Sequence, residues 1–245
     1  MIENSNNLID VVVPVLDRPK ETFLTVEALL KANDDIRVIL IHDGSTEKVN
    51  LDILATDRIV EKDTNARLGH SKALNFGLDL VKSDYVVTMH GDVVVHDKNW
   101  VRKAVKFLKE NRDVGLIGAV GVSKERRLVT TLKNVHDRRW KLLIPEEDFT
   151  EVVFTDNMVN VFKNIGVRSD ERVGLGGVTI WVDFKAMKLK LCVIKFDDAA
   201  HLPGSTRTLE VYTKVRPHQE GLKIYRSVLG KRLKELTGKS DVFEV

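Results

Sequence analysis

The 245-residue chain has 31% charged and 43% hydrophobic residues, a formal net charge of +3 and a mean hydropathy of −0.15, the profile of a globular protein rather than a disordered or fibrous one. Its uncharged apolar runs, such as Val11 to Leu16 and Val93 to Val95, fall far short of the roughly 20 residues that a membrane-spanning helix needs, and a start carrying Glu3 and several amides shows no legible signal peptide. A single cysteine, Cys192, excludes an internal disulfide and a multi-cysteine zinc motif, so a reducing, cytoplasmic setting is expected.

Ile9 to Leu16 is valine-rich without polar alternation, the pattern of a strand buried on both faces of a parallel sheet. Asp17-Arg18-Pro19 ends it, and Phe23, Val26, Leu29 and Leu30 then recur at helical spacing, with Pro19 near the helix start. A second strand, Arg37 to Ile41, closes on His42-Asp43-Gly44-Ser45-Thr46, and Ile59-Val60 is a shorter strand. Ser71 to Val81 is predicted helical, Tyr85 to Met89 a strand ending in His90-Gly91-Asp92, Trp100 to Leu108 a helix, and Val114 to Val122 a strand. This alternation demands parallel pairing through right-handed crossovers, hence a doubly wound α/β sheet.

Charged clusters from Ser123 to Glu151 mark a long loop or hairpin, in which Arg126, Arg127, Arg138 and Arg139 are solvated charges unless the loop folds over an anion. Gly174 to Gly177 is a hinge, Trp181 to Lys190 a helix, Leu191 to Phe196 a strand, and Gln219 to Leu236 a helix with a Leu222, Tyr225, Leu229, Leu233, Leu236 stripe. Lys214 to Lys239 holds eight basic and two acidic residues, a net +6 that leaves −3 on the remainder. The tail either packs on the core or lies against an anionic membrane; nucleic acid is not an expected partner.

In an open α/β sheet, ligands sit at the carboxyl ends of the strands. Polar residues follow apolar runs at Pro14 to Arg18, His42 to Thr46 and His90 to Asp92. No Gly-x-Gly-x-x-Gly and no Walker lysine loop follows the first strand, which leaves a metal-bridged diphosphate as the better ligand. A hard divalent cation needs few protein ligands when phosphate and water complete its shell, and Asp92 suits that role. A zinc cluster of His90, Asp92 and His96 is disfavoured, because strand alternation over Val93 to Val95 points its members apart.

The blocks VPVLDRP, IHDGSTE, LGHSKALNFGL and SDYVVTMHGDVVV, in that order, resemble glycosyltransferase family 2 with the GT-A fold. The resemblance implies one domain over residues 1–206, with a nucleotide-sugar half (1–100) and an acceptor half (101–206), followed by the basic helical tail (207–245). It places Pro14, Val15, Asp17, Asp43, Lys72, Asn75, His90 and Gly91 around the nucleotide sugar. Asp92 falls on the metal-binding Asp-x-Asp, which here reads His90-Gly91-Asp92, and His201 in His-Leu-Pro-Gly-Ser on a histidine that reaches back to the metal, Mn2+ or Mg2+. Where the family has Glu-Asp-x-Asp this chain has Trp181-Val182-Asp183-Phe184, so Asp183 is the expected general base, and Trp181 is either core or a sugar-stacking platform.

The implied activity is inverting, metal-dependent transfer from a UDP- or GDP-sugar to the hydroxyl of a glycan, lipid-linked or protein acceptor. The alternative, prompted by His90 and Trp181, is a nucleotide-sugar-binding protein that has lost transfer.

Overall fold

Ile9–Val15 forms the central strand β1, and its alternating valines serve two cores at once. Val11 and Val13 belong to one buried cluster and Val12 to the other, as a strand covered on both faces requires. In the computed structural model, which describes residues 8–121, 149–152, 158–171 and 178–202, the further strands are β2 (Ile36–His42), β3 (Ile59–Asp63), β4 (Tyr85–Met89), β5 (Val93–Val95), β6 (Val114–Gly121), β7 (Phe149–Val152), β8 (Val159–Lys163), β9 (Lys190–Phe196) and β10 (Ala199–His201). The helices are α1 (Pro19–Ala32), α2 (His70–Leu78), α3 (Trp100–Glu110) and α4 (Val178–Ala186).

Eight strands make one sheet in the order β3-β2-β1-β4-β8-β6-β9-β7, and β5 pairs with β10 apart from it. Strands β3, β2, β1 and β4 are mutually parallel. β8 is antiparallel to both β4 and β6, which sets β6 and its parallel neighbour β9 in the common direction; β7 is antiparallel to β9. The mostly parallel α/β sheet expected from the sequence is present. The order reverses between β1 and β4, the switch point at which such sheets bind ligands.

Both faces are covered. Residues of α1 and α3, including Val26, Leu29, Trp100, Val101 and Leu108, fill one cluster. Leu74 and Leu78 of α2 pack with Trp181 and Phe184 of α4 in the other, each fully buried side chain contributing roughly 1.5–3 kcal/mol. A Cβ on Gly77 would collide with Val12 Cγ1, so this glycine lets the last turn of α2 lie directly on β1.

The amino-terminal end of β1 is tied by Asp10, only 1% exposed. Its carboxylate accepts Arg37 Nε at 2.7 Å and the backbone N–H groups of Lys82 and Ser83 at 2.6 and 3.1 Å, a buried charge fully engaged as burial demands.

Several boundaries differ from the sequence expectation. The helix read as Trp181 to Lys190 is Val178–Ala186, because the chain reverses through Lys188 at φ 62 to begin β9 at Lys190. The helix read as Ser71 to Val81 is His70–Leu78. Arg126, Arg127, Arg138, Arg139, the 174–177 hinge and the whole 207–245 tail with its leucine stripe lie outside the described residues. Among the described residues no helix is long and apolar enough to cross a membrane.

Candidate functional site

The β1–β4 ladder stops early. Its last pair is Val12 with Thr88, whereas β1 stays paired to β2 through Val15 with His42. The Val15 carbonyl faces β2 and its neighbourhood, accepting the Asp43 N–H at 2.8 Å. By strand alternation the nitrogen of buried Pro14 therefore faces β4, where a proline has no hydrogen to donate. The two strands part at their carboxyl ends, and the turn 90–92 occupies the gap. A Cβ on Gly91 would run into Val15 Cγ1, so only glycine lets the turn settle there.

The turn after β1 is pinned by Asp17. Asp17 Oδ1 accepts the Thr46 N–H at 2.7 Å, the Thr46 hydroxyl at 3.0 Å and the Glu47 N–H at 3.1 Å, and its own N–H donates to Ser45 Oγ at 3.0 Å. The Glu47 N–H, followed by the two Thr46 donors and opposed by partial burial, holds the carboxyl below the usual range. These bonds lock together the turns after β1 and β2, and they support a backbone in which Asp17 and Arg18 are both left-handed, at φ 55 and 62.

Asp43 is 4% exposed, and its two oxygens accept the Leu68 and Gly69 N–H groups at 2.7 and 3.0 Å. It anchors the segment leading into α2. That segment crosses Gly44 so closely that a Cβ there would lie 2.5 Å from the Arg67 nitrogen. His42, buried beneath, sets Nε2 3.2 Å from Glu61 Oε2, and its carbonyl accepts both the N–H and the hydroxyl of Thr64.

The α2 residues divide between two tasks. Lys72 is exposed in the first turn. Asn75 is buried and faces the 165–171 segment, donating Nδ2 to the Ser169 carbonyl at 2.9 Å and Glu171 Oε1 at 3.1 Å while accepting the Ser169 N–H at 2.8 Å. It ties α2 to the 165–171 segment.

After β4, the half-buried His90 meets His70 edge to face, ring centroids 5.0 Å apart, and its N–H donates to the Met158 carbonyl. Asp92 Oδ2 accepts Arg18 Nη1 at 2.8 Å, and Arg18 Nη2 reaches Glu21 at 3.1 Å. The Asp92 carbonyl accepts the Leu202 N–H at 2.7 Å, and β10 sets His201 opposite Val93 in the ladder. The backbone thus carries His201 beside Asp92, although the two lie more than a hundred residues apart.

A divalent cation fits this arrangement only with outside help. Among the described residues no three histidine, cysteine, aspartate or glutamate side chains form a cage, and His96 is exposed. Asp92 is a carboxylate donor of the kind a hard cation takes when phosphate oxygens and water complete its shell, and Arg18 already neutralises it. Asp183 comes from a different element, half-buried in the second turn of α4. Trp181, 1% exposed, is core beside Phe184 and Ile180; it is not a sugar-stacking platform, because its ring is spent on packing.

Sequence reasoning passed over Arg18, His70 and the tie made by Asn75. Arg18 stood in the quoted VPVLDRP block, but nothing local says that its guanidinium turns back across 74 residues of sequence to Asp92.

A family model described as Glycosyl transferase family 2 matches residues 10–172, more than half of the chain. The structure is similar to the crystal structure of S. aureus TarS 1-349, at TM-score 0.65 and 13% identity over 95% of this chain and 67% of that one. It is similar to the S. aureus TarS crystal structure at TM-score 0.60 and 13% identity, covering 96% of this chain and 44% of that one. A structure of TarS 1-349 in complex with UDP aligns at TM-score 0.58 and 15% identity, over 97% and 72%. No curated protein matches the chain.

Proposed function

The chain belongs to glycosyl transferase family 2 and is a glycosyltransferase, and we propose that it moves a sugar from a UDP- or GDP-sugar to an acceptor hydroxyl with inversion. The observation that carries this reading is the parting of β1 and β4 at their carboxyl ends, where the turns bearing Asp17, Asp43 and Asp92 come together. A related fold holding UDP supports the nucleotide.

In this reading Pro14, Val15, Asp17 and Asp43 shape the floor for base and ribose. Asp43 acts chiefly by fixing the 67–69 segment, because both its oxygens are engaged there. Lys72, His90 and Gly91 border the sugar diphosphate. Asp92 and His201 would hold Mn2+ or Mg2+, which when bound supplies positive charge against the departing diphosphate. Asp183, half-buried in α4, takes the acceptor proton as general base.

The acceptor is a glycan, a lipid-linked sugar or a protein, and the 207–245 tail supplies peripheral contact with anionic membranes if the acceptor is lipid-linked. A cytoplasmic site of action is the accompanying proposal.

A transfer and hydrolysis assay across UDP- and GDP-sugars with Mn2+ or Mg2+ tests the reading. Turnover that Asp183→Asn lowers at least a hundredfold, with donor affinity kept, supports it. The second reading, a donor-binding protein without transfer, is favoured by His90 and Trp181 standing where the family has carboxylates, Trp181 being absorbed into the core. Tight UDP binding without turnover on any acceptor would establish it.

A further inference from the structure

Arg18 is placed with unusual care for a residue that would otherwise begin a surface helix. Its backbone is left-handed, as is that of Asp17 before it, a conformation that costs roughly 1–2 kcal/mol per residue away from glycine and that clusters at functional sites. The Asp17 bonds to Thr46 and Glu47 hold this turn. Its effect is to set the side chain at the strand end, where Nη1 lies 2.8 Å from Asp92 with the two side chains only 13% and 16% exposed. Gly91 admits the Asp92 turn to this depth.

A cross-link between β1 and the 90–92 turn does not require a guanidinium. What the guanidinium adds is a planar set of five donors, weakly hydrated, whose geometry matches phosphate as well as carboxylate. Two of its nitrogens are now directed at acidic groups, Asp92 and Glu21.

We propose that Arg18 is a diphosphate-binding residue: in the nucleotide-free protein it neutralises Asp92, and on donor binding it exchanges that carboxylate for diphosphate oxygens. The inference rests on the donor-site reading above and adds to it a cation supplied by the chain itself. The exchange keeps Asp92 from standing as a bare anion before the donor binds, and it releases the carboxylate as the diphosphate arrives.

Calorimetry of uridine and UDP in EDTA with the full chain tests this, using wild type, Arg18→Ala, Arg18→Lys and Asp92→Asn. Arg18→Ala is expected to weaken UDP at least tenfold while leaving uridine within twofold, with Arg18→Lys intermediate. Asp92→Asn, close to isosteric, is expected to tighten UDP severalfold, because the guanidinium no longer has a carboxylate to leave. Equal losses for uridine and UDP in Arg18→Ala, or UDP affinity unchanged or weakened in Asp92→Asn, would overturn the proposal by showing a merely structural pair. Wild type that binds neither uridine nor UDP, in EDTA or with Mn2+ or Mg2+ added, refutes the donor-site reading itself, whereas wild-type UDP binding insensitive to Arg18 refutes only this inference.

Discussion

Alanine at Asp17 removes the acceptor that three donors share on one oxygen: the Thr46 N–H, the Thr46 hydroxyl and the Glu47 N–H. Partly exposed bonds of this kind contribute about 0.5–1.5 kcal/mol each, roughly 2 kcal/mol together. Alanine also tolerates the φ of 55 at this position less well than aspartate, adding about 1 kcal/mol. The expected loss is therefore about 3 kcal/mol, or a melting temperature lower by roughly 6–12 °C for a chain of this size. Asp17→Asn keeps a carbonyl acceptor and the left-handed tolerance, so it should lose only about 1 kcal/mol, the charge assistance. The pH dependence has a fixed sign. Because the folded carboxyl is held below 3.8, its contribution is complete above that pH and is lost as pH falls through the folded value. Urea unfolding should show a gap between wild type and Asp17→Ala that is constant from about pH 7 to 5 and narrows below about pH 4. A variant with the wild-type midpoint, or a gap that does not narrow in acid, would refute the argument that an ionised Asp17 holds the two turns together.

Asp10→Ala strands Arg37 and the N–H groups of Lys82 and Ser83 that the buried carboxylate holds and should cost about 3–5 kcal/mol, measured by urea unfolding. Because Asp10 lies near the opposite end of β1, UDP affinity of the folded fraction should not change. Gly91→Ala drives a methyl into Val15 and should lose about 1–3 kcal/mol together with UDP affinity, and adding Val15→Ala should restore both; a double variant no better than the single one rules out that collision. Burial pushes the Cys192 thiol up to about 11, so a disulfide reagent at neutral pH should label it slowly in the folded protein and rapidly in urea. Equally fast labelling of the folded protein would place the thiol outside the core.

The parallel half of the fold was legible because burial on both faces leaves an unmistakable mark, the run Val11-Val12-Val13, and because strand ends announce themselves by abrupt polarity. The second half was less legible. β8 went unread because Asn160 interrupts its apolar pattern; it is fully buried, and its Nδ2 donates to Thr88 on the neighbouring strand. The start of α4 is rich in β-branched Val178, Thr179 and Ile180, whose local preference is for strands and which tertiary packing against β6 and β9 overrides. β5 was already readable as the Val93 to Val95 run, but β10 is three residues, below what periodicity can mark. At the site, the motif positions were visible but not their partners. Asp43, Asn75 and Arg18 each act across 25 residues or more, through contacts that exist only after the sheet has assembled.

The missing hydrogen at Pro14 bears on how such a protein can change. A cleft lined by side chains can be filled by one larger residue, and a cleft between mobile loops can collapse. Here the opening is written into the backbone: no substitution elsewhere can give the Pro14 nitrogen a proton, so β1 and β4 cannot zip past Val12 in the usual way. The turns around the cleft are then at liberty to diverge in sequence without risk of sealing it. Variation in 43–47, 64–69 and 90–92 should therefore retune what the crevice accepts, whereas replacing Pro14 with a residue that carries an N–H should let the strands knit and shallow the crevice itself.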